Sequence, residues 1–313
     1  MNKKRRLNLL RVLVSGGILA ILFWRIGLGE TLAVLRGADL RYWLIALALF
    51  LFSLLVRAWR WLVLIRGLGA AVNFGRLLKL YFVGSFFNAF LPSSFGGDVV
   101  RAIELTQDTD RSAAVGTVLV DRMTGLLTLF AMGLTVLPFM ADHLPLELIL
   151  VLVGVAGSGL IAGVLILEGR FLKHVGDWLP PPLSLTNQGP LAKIYAAVTG
   201  CGRCAILQAC AISLFFNVIN VLINWLCGQT VGAQTGLGHF FIITPLLSVS
   251  GLIPSIGGWG VREAISTALL APLGVDENVA VALGLVVGSV HLAVGLGGGV
   301  IYALEGWLGL RDR

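Results

Sequence analysis

Charge is scarce in this chain. Only 12% of its 313 residues are charged, about half of the roughly 25% usual in a soluble domain. No soluble-sized polar segment interrupts it, so water-phase chemistry on a separate module is not expected. Cysteine is also sparse: Cys201, Cys204, Cys210 and Cys227 are all there are. Cys201-Gly-Arg-Cys204 has the C-x-x-C spacing but stands alone. It has no second pair for zinc and no βαβ context for a thioredoxin site, so reduced thiols at a helix start are expected. His143, His174, His239 and His291 are scattered and make no metal-ligand set. No Walker, G-x-S-x-G or H-E-x-x-H pattern occurs, so no cofactor is called for.

Apolar residues fill the space. The chain is 57% hydrophobic with a mean hydropathy of +0.93. The apolar runs are about twenty residues long and continuous, which is the length of a spanning helix and not of an alternating barrel strand. The expectation is an all-α polytopic membrane protein, one integral membrane domain over 1–313. The net charge of +7 then reads as basic residues in cytoplasmic loops facing anionic lipid, with no nucleic acid implied.

Spans are expected at about 7–24, 43–65, 113–139, 147–167, 205–228 and 279–304. The first, after "MNKKRR", reads as a retained signal anchor with its N-terminus inside. Two more apolar stretches, about 74–106 and 239–271, are broken in the middle, at Pro92 to Gly97 and at Ile253 to Glu263. Their arms are too short to span and suit re-entrant hairpins. With both hairpins returning to their side of entry, every lysine falls on one side. Asp142, Glu147, Asp276 and Glu277 fall on the other. That bias predicts a cytoplasmic (inner) membrane location with both termini cytoplasmic.

"PSSFGGDVVRAIE" from Pro92 and "PSIGGWGVREAIS" from Pro254 share Pro-Ser, a Gly-Gly pair and Val-Arg. Each follows two spans and precedes one. Three spans per half is odd, so the halves, about 1–140 and 141–313, would insert as an inverted repeat, each with three spanning helices and one re-entrant hairpin.

Several charged and polar residues lie within this apolar material. Proline ends the incoming helix and glycine lets the chain turn. The next helix starts with free N–H groups that suit an anion. Gly96, Gly97, Asp98 and Arg101 stand at the first start, and Gly257, Gly258, Gly260, Arg262 and Glu263 at the second. A charge at a helix centre costs about 2.5–3.5 kcal/mol, so these residues must pair or line a wet cavity. The expectation is that Arg101 and Arg262 neutralise a phosphate while Asp98 and Glu263 hold the arginines or carry protons. Asp121 and Arg122 lie inside a span, point about 100° apart, and should find partners on other helices. Arg57 and Arg60, at i and i+3, either snorkel to inner-leaflet phosphates or collect a headgroup at a cavity mouth. Asn88 shares a face with Pro92. Asn217, Asn220 and Asn224 form a polar stripe that could bond a headgroup or join helices. Gly159/Gly163, Gly284/Gly288 and Gly295/Gly299 suit close helix packing.

"FFNAFLPSSFGGDVVRAIEL", "VLVDRMTGLL" and "GLIPSIGGWGVREA", in this order, resemble the lysylphosphatidylglycerol synthase transmembrane-region family of flippase-like domain proteins. The resemblance implies a lipid translocase binding a membrane phospholipid or lipid-linked headgroup. It does not carry over the synthase activity, which belongs to a separate soluble domain, so no enzyme is expected. Two rivals stay open. One is a non-transporting accessory subunit of a lipid-modifying enzyme partner. The other is an intramembrane enzyme with Asp98 or Asp121 as general base. A homo-oligomer is compatible with all three, and the particular lipid, direction and energy source are left open.

Overall fold

The computed structural model describes residues 28–91, 95–168, 196–253 and 255–311. The expected span at 7–24, the tip residues Pro92 and Pro254, and most of the loop between about 168 and 204 lie outside them. The described residues are helical, with no strand among them. In chain order the helices are α1 (Leu28–Arg36), α2 (Leu40–Gly67), α3 (Phe74–Phe90), α4 (Gly96–Leu105), α5 (Arg111–Met140), α6 (Leu146–Glu168), α7 (Arg203–Thr230), α8 (Leu237–Val249), α9 (Val261–Leu270) and α10 (Glu277–Arg311). Among the described residues, α2, α5, α6, α7 and α10 are long and apolar enough to cross a membrane. Their outer faces carry large exposed apolar side chains, such as Leu150, Ile161, Leu207 and Phe215. So continuous an apolar surface suits lipid and not water.

Helix starts follow local capping. Asp39, Asn73 and Asp110 accept backbone N–H groups at the beginnings of α2, α3 and α5. Contacts between loops define two ends of the bundle. At one end, Asp39 N donates to Thr230 O at 2.9 Å and Thr31 meets Asn278. The loop 142–145, Gln234 and Pro272 surround a common hollow there. At the other end, Gly67 lies against Cys201, and Arg76 pairs with Asp108 at 2.9 Å.

The broken stretches behave differently from the spans. Helices α3 and α4 have 17 and 10 residues and run antiparallel. Arg76 meets Glu104, Gly84 meets Arg101, and Asn88 meets Gly97. Helices α8 and α9 have 13 and 10 residues. Both His239 on α8 and Pro272 after α9 line the hollow at the first end. The outer ends of each stretch thus lie together, Arg76 with Glu104 and His239 with Pro272. The two turns meet: a Cβ placed on Gly257 would sit 2.6 Å from Ala89 O. Gly257, Gly258 and Gly260 have φ of 58°, 82° and 82°, a left-handed run that side chains resist. At the first turn the requirement is space: a Cβ on Gly97 would collide with Gly84 O and approach Asn88 Cγ to 2.7 Å.

The three spaced glycine pairs all lie at helix contacts. Gly159 and Gly163 receive Phe130 and Leu127, joining α6 to α5. Gly284 and Gly288 receive Glu263 and Arg262, joining α10 to α9, while Gly295 and Gly299 receive Ala89 and Phe86, joining α10 to α3. Gly298 is tightest, for its Cβ would run into Phe82 O. Backbone cannot step aside as a side chain can, so Gly298→Ala should destabilise by about 1–3 kcal/mol. Gly297→Ala is the control: its Cβ meets open space and should be neutral or mildly stabilising. Melting temperatures in detergent compare the two.

Candidate functional site

Asp121, on α5, is 1% exposed. Its Oδ1 accepts from Arg60 Nε at 2.7 Å, across from α2. Its Oδ2 accepts from Arg101 Nη2 at 3.1 Å on α4, and from the Tyr81 hydroxyl on α3. Three helices are thus fastened to one carboxylate on a fourth. Arg60 also donates to Ser213 Oγ on α7 at 2.9 Å. Arg101 lies over the Tyr81 ring at 3.7 Å and the Trp61 ring at 4.2 Å, and its Nη1 reaches Asp98 at 3.0 Å. The second oxygen of Asp98 accepts from Arg122, which covers Phe95 at 4.0 Å. The chain Arg60–Asp121–Arg101–Asp98–Arg122 is therefore one continuous ion network.

Glycine makes room for it. A Cβ on Gly125 would meet Arg60 Nη1 at 2.8 Å, one on Gly84 would meet Arg101 Cδ at 2.8 Å, and one on Gly288 would meet Arg262 Nη1 at 2.7 Å.

Beside the network lies a cavity of about 310 Å³. Residues of both turns line it, Asn88 and Asp98 from the first, Gly257, Trp259 and Arg262 from the second. Helix α2 adds Arg57 and Arg60, α5 adds Asp121 and Arg122, α7 adds Asn217, Asn220 and Asn224, and α10 adds His291. Of the expected site residues, Gly96, Gly97, Gly258, Gly260 and Glu263 stand outside this wall.

Three expectations need correction. First, the two helix starts are partly engaged already. Gly97 N donates to Asn88 Oδ1 at 2.7 Å, and Gly260 N donates to Glu263 Oε2 at 2.6 Å. One N–H at each start is thus engaged from within, and Asp98 and Glu263 already oppose the dipole ends. Second, Arg101 is not a free phosphate ligand. It is 3% exposed, and both terminal nitrogens are committed to Asp98 and Asp121. Third, Glu263 does not hold Arg262. Arg262 Nη2 donates to Gly257 O at 2.9 Å. Arg60 also departs from the snorkelling picture, because it is buried at 3% exposure.

The remaining residues divide. Asn217 joins α7 to α5 through Gly125 O at 3.0 Å and Thr128 Oγ1 at 2.8 Å, and Asn224 bonds its own helix at Asn220 O. Asp121 and Arg122 do find partners on other helices. Tyr81 and His291 were not picked out by sequence. The spacing of Tyr81, Ser85 and Asn88 along α3 traces one helical face, and that polar stripe was the available signal.

The C-x-x-C pair is not joined. Cys201 is buried and its thiol contacts Ala197 O, whereas Cys204 is exposed. Burial pushes the Cys201 thiol up to about 11. At pH 7.5 an impermeant maleimide should modify Cys204 and leave Cys201 untouched, since the thiolate is the reacting form. Mass spectrometry of the peptides reads this directly, and rapid modification of Cys201 would contradict the buried placement.

A family model described as the lysylphosphatidylglycerol synthase TM region matches residues 8–299, and the chain belongs to that family. It is also similar to a UPF0104 membrane protein of Pyrococcus horikoshii, 28% identical over 118 residues. That match spans 36% of this chain and 35% of the archaeal protein, so about a third of the relative's length is covered.

The network yields a graded expectation. Breaking a buried ion pair costs about 3–5 kcal/mol, because the remaining charge is left uncompensated. Asp121→Asn strands Arg60 and weakens the hold on Arg101, so it should lower thermal stability strongly. Asp98→Asn should cost less. The Asp98 side chain is 14% exposed, and Arg101 keeps Asp121. Equal melting temperatures for the two variants would contradict the hub role of Asp121.

Proposed function

We propose that this protein is a lipid translocase, in which a phosphate-bearing headgroup occupies the cavity where the two turns meet. The observation that carries the reading is the cavity wall. Five arginines line it against two aspartates, inside a bundle whose outer surface is apolar. Intramembrane charge on this scale is costly, and its common use is a substrate path. The two broken segments then act as re-entrant hairpins in two inverted halves, with their tips near the midplane. Discontinuous helices at such a meeting point are a transporter architecture. The basic end, with Arg66, Arg76, Arg111 and Arg203, faces the cytoplasm of the inner membrane on the positive-inside rule. The family's name points to lipid. Headgroup chemistry is the weaker reading, because Asp98 and Asp121 have all their oxygens bonded to arginine or tyrosine. Neither is a free base.

The test is reconstitution of the full chain into liposomes containing fluorescent short-chain phosphatidylglycerol. Transbilayer movement, read by protection from a membrane-impermeant quencher, is expected to exceed that of empty liposomes with the lipid chemically unchanged. A modified lipid product would favour the enzyme. Binding without movement or product would favour an accessory role.

A further inference from the structure

The cavity arginines fall into two groups. Arg60, Arg101 and Arg122 are spent on Asp121 and Asp98. Among the described residues, Arg57 and Arg262 have no carboxylate within ion-pair distance. Arg57 Nε is buried with no hydrogen-bond partner, and so is Arg262 Nη1. Arg262 spends one nitrogen on Gly257 O and turns a bare one toward the wall where Gly288 leaves space. Buried donors without partners are rare and ask for an acceptor. Arg57 comes from α2 and Arg262 from the start of α9, so the two approach one cavity from separate elements.

The two aspartates of the cavity wall show the opposite condition. Both oxygens of Asp121 and both of Asp98 are already bonded. Glu263 is 0% exposed and does not line the cavity; its Oε2 accepts from Gly260 N and its Oε1 is buried without a partner. An ammonium entering the cavity would find no uncommitted carboxylate on its described wall. The Phe216 face is also taken, by Arg57 at 5.3 Å and Arg60 at 5.6 Å.

From this division we infer that Arg57 and Arg262 form the phosphate clamp, and that the cavity selects anionic phospholipid headgroups lacking an amine. The inference rests on the headgroup reading of this cavity and narrows its substrate class. It differs from what the family's name suggests, since a lysyl ester carries ammonium groups. His291, one turn beyond Gly288 on α10, donates from Nδ1 to Val287 O at 2.8 Å. Its other nitrogen is left for a headgroup hydroxyl such as those of glycerol.

The experiment uses the purified full chain in detergent and measures binding by native mass spectrometry. The probes are phosphatidylglycerol, phosphatidylethanolamine, the lysyl ester of phosphatidylglycerol and tail-free glycerol phosphate. Phosphatidylglycerol is expected to bind at least about tenfold more tightly than either amine lipid, which is the worth of one charge-assisted hydrogen bond. Glycerol phosphate should bind more weakly still; equal affinity would overturn the lipid as the source of the phosphate. Arg57→Ala and Arg262→Ala should each lower phosphatidylglycerol affinity about tenfold. Arg57→Lys and Arg262→Lys should recover part of the loss, because a point charge lacks the two-pronged fork. Neither arginine belongs to an ion pair among the described residues, so folding is expected to survive. If an alanine variant does not fold, the lysine variant's phosphatidylglycerol affinity decides, and unchanged affinity in both lysine variants overturns the clamp. Amine lipids bound as tightly as phosphatidylglycerol overturn the selectivity. Selective binding without transport would sink the translocase reading and leave this one standing. Transport of every lipid alike would do the reverse.

Discussion

A carboxylate 1% exposed inside an apolar bundle cannot be left alone, and Asp121 is met by two arginines and a tyrosine. Desolvating each ion costs several kcal/mol even after relaxation, and only good geometry with further hydrogen bonds offsets it. The fold supplies that geometry from three directions. Arg60 comes from α2, Tyr81 from α3 and Arg101 from α4, all closing on one residue of α5. The short helices α3 and α4 bury apolar residues such as Leu77, Leu80 and Leu105 in the core, and polar links add to that packing. The electrostatic joint and the clasp of Asn88 on the Gly97 amide tie them to α5 and to each other.

The same joint sets how close the helices must come. A guanidinium between packed helices needs its own volume, and Gly84, Gly125 and Gly288 provide it beside Arg101, Arg60 and Arg262. Elsewhere glycine brings backbones together, as where α10 passes α3 at Gly298. In lipid there is no hydrophobic force to drive helix on helix, so close packing and polar links must carry association. Asn217, bonding Gly125 O and Thr128 from α7, is another such link.

Much of this was legible from residue type and spacing. Long apolar runs mark the spans because lipid demands them, and the glycine pairs mark contacts because only small residues permit them. The partners of Asp121 and Arg122 were inferable in kind, since neighbours on a helix point apart. Their identities were not. Arg60 is 61 residues from Asp121 and Arg101 is 20, and nothing in the local pattern of either announces the pairing. The matched motifs also misled. Arg101 and Arg262 occupy equivalent places in "GGDVVR" and "GGWGVR", yet one is bound by two aspartates and the other by a carbonyl. Local likeness marked where each broken stretch resumes a helix, though α4 starts at Gly96 and α9 only at Val261. Tertiary surroundings, Asp121 above all, decided what each arginine could do.

That asymmetry bears on how such a site could work. A cavity in which five arginines all faced the ligand would hold a phosphate too firmly to release it. Passage requires binding strong enough to draw the headgroup from water and weak enough to let it leave. Pairing three arginines with two aspartates lowers the available charge while keeping the wall polar, and it converts those arginines into structural members that need not move. Arg57 and Arg262 are then the cations able to take on a partner without losing one. They sit on different elements, α2 and the glycine-rich entry to α9. A phosphate bridging them would tie the second turn to the main bundle, and its departure would free that turn. The left-handed glycines at 257, 258 and 260 are where such a motion would cost least, because there the backbone turns without a Cβ in its way.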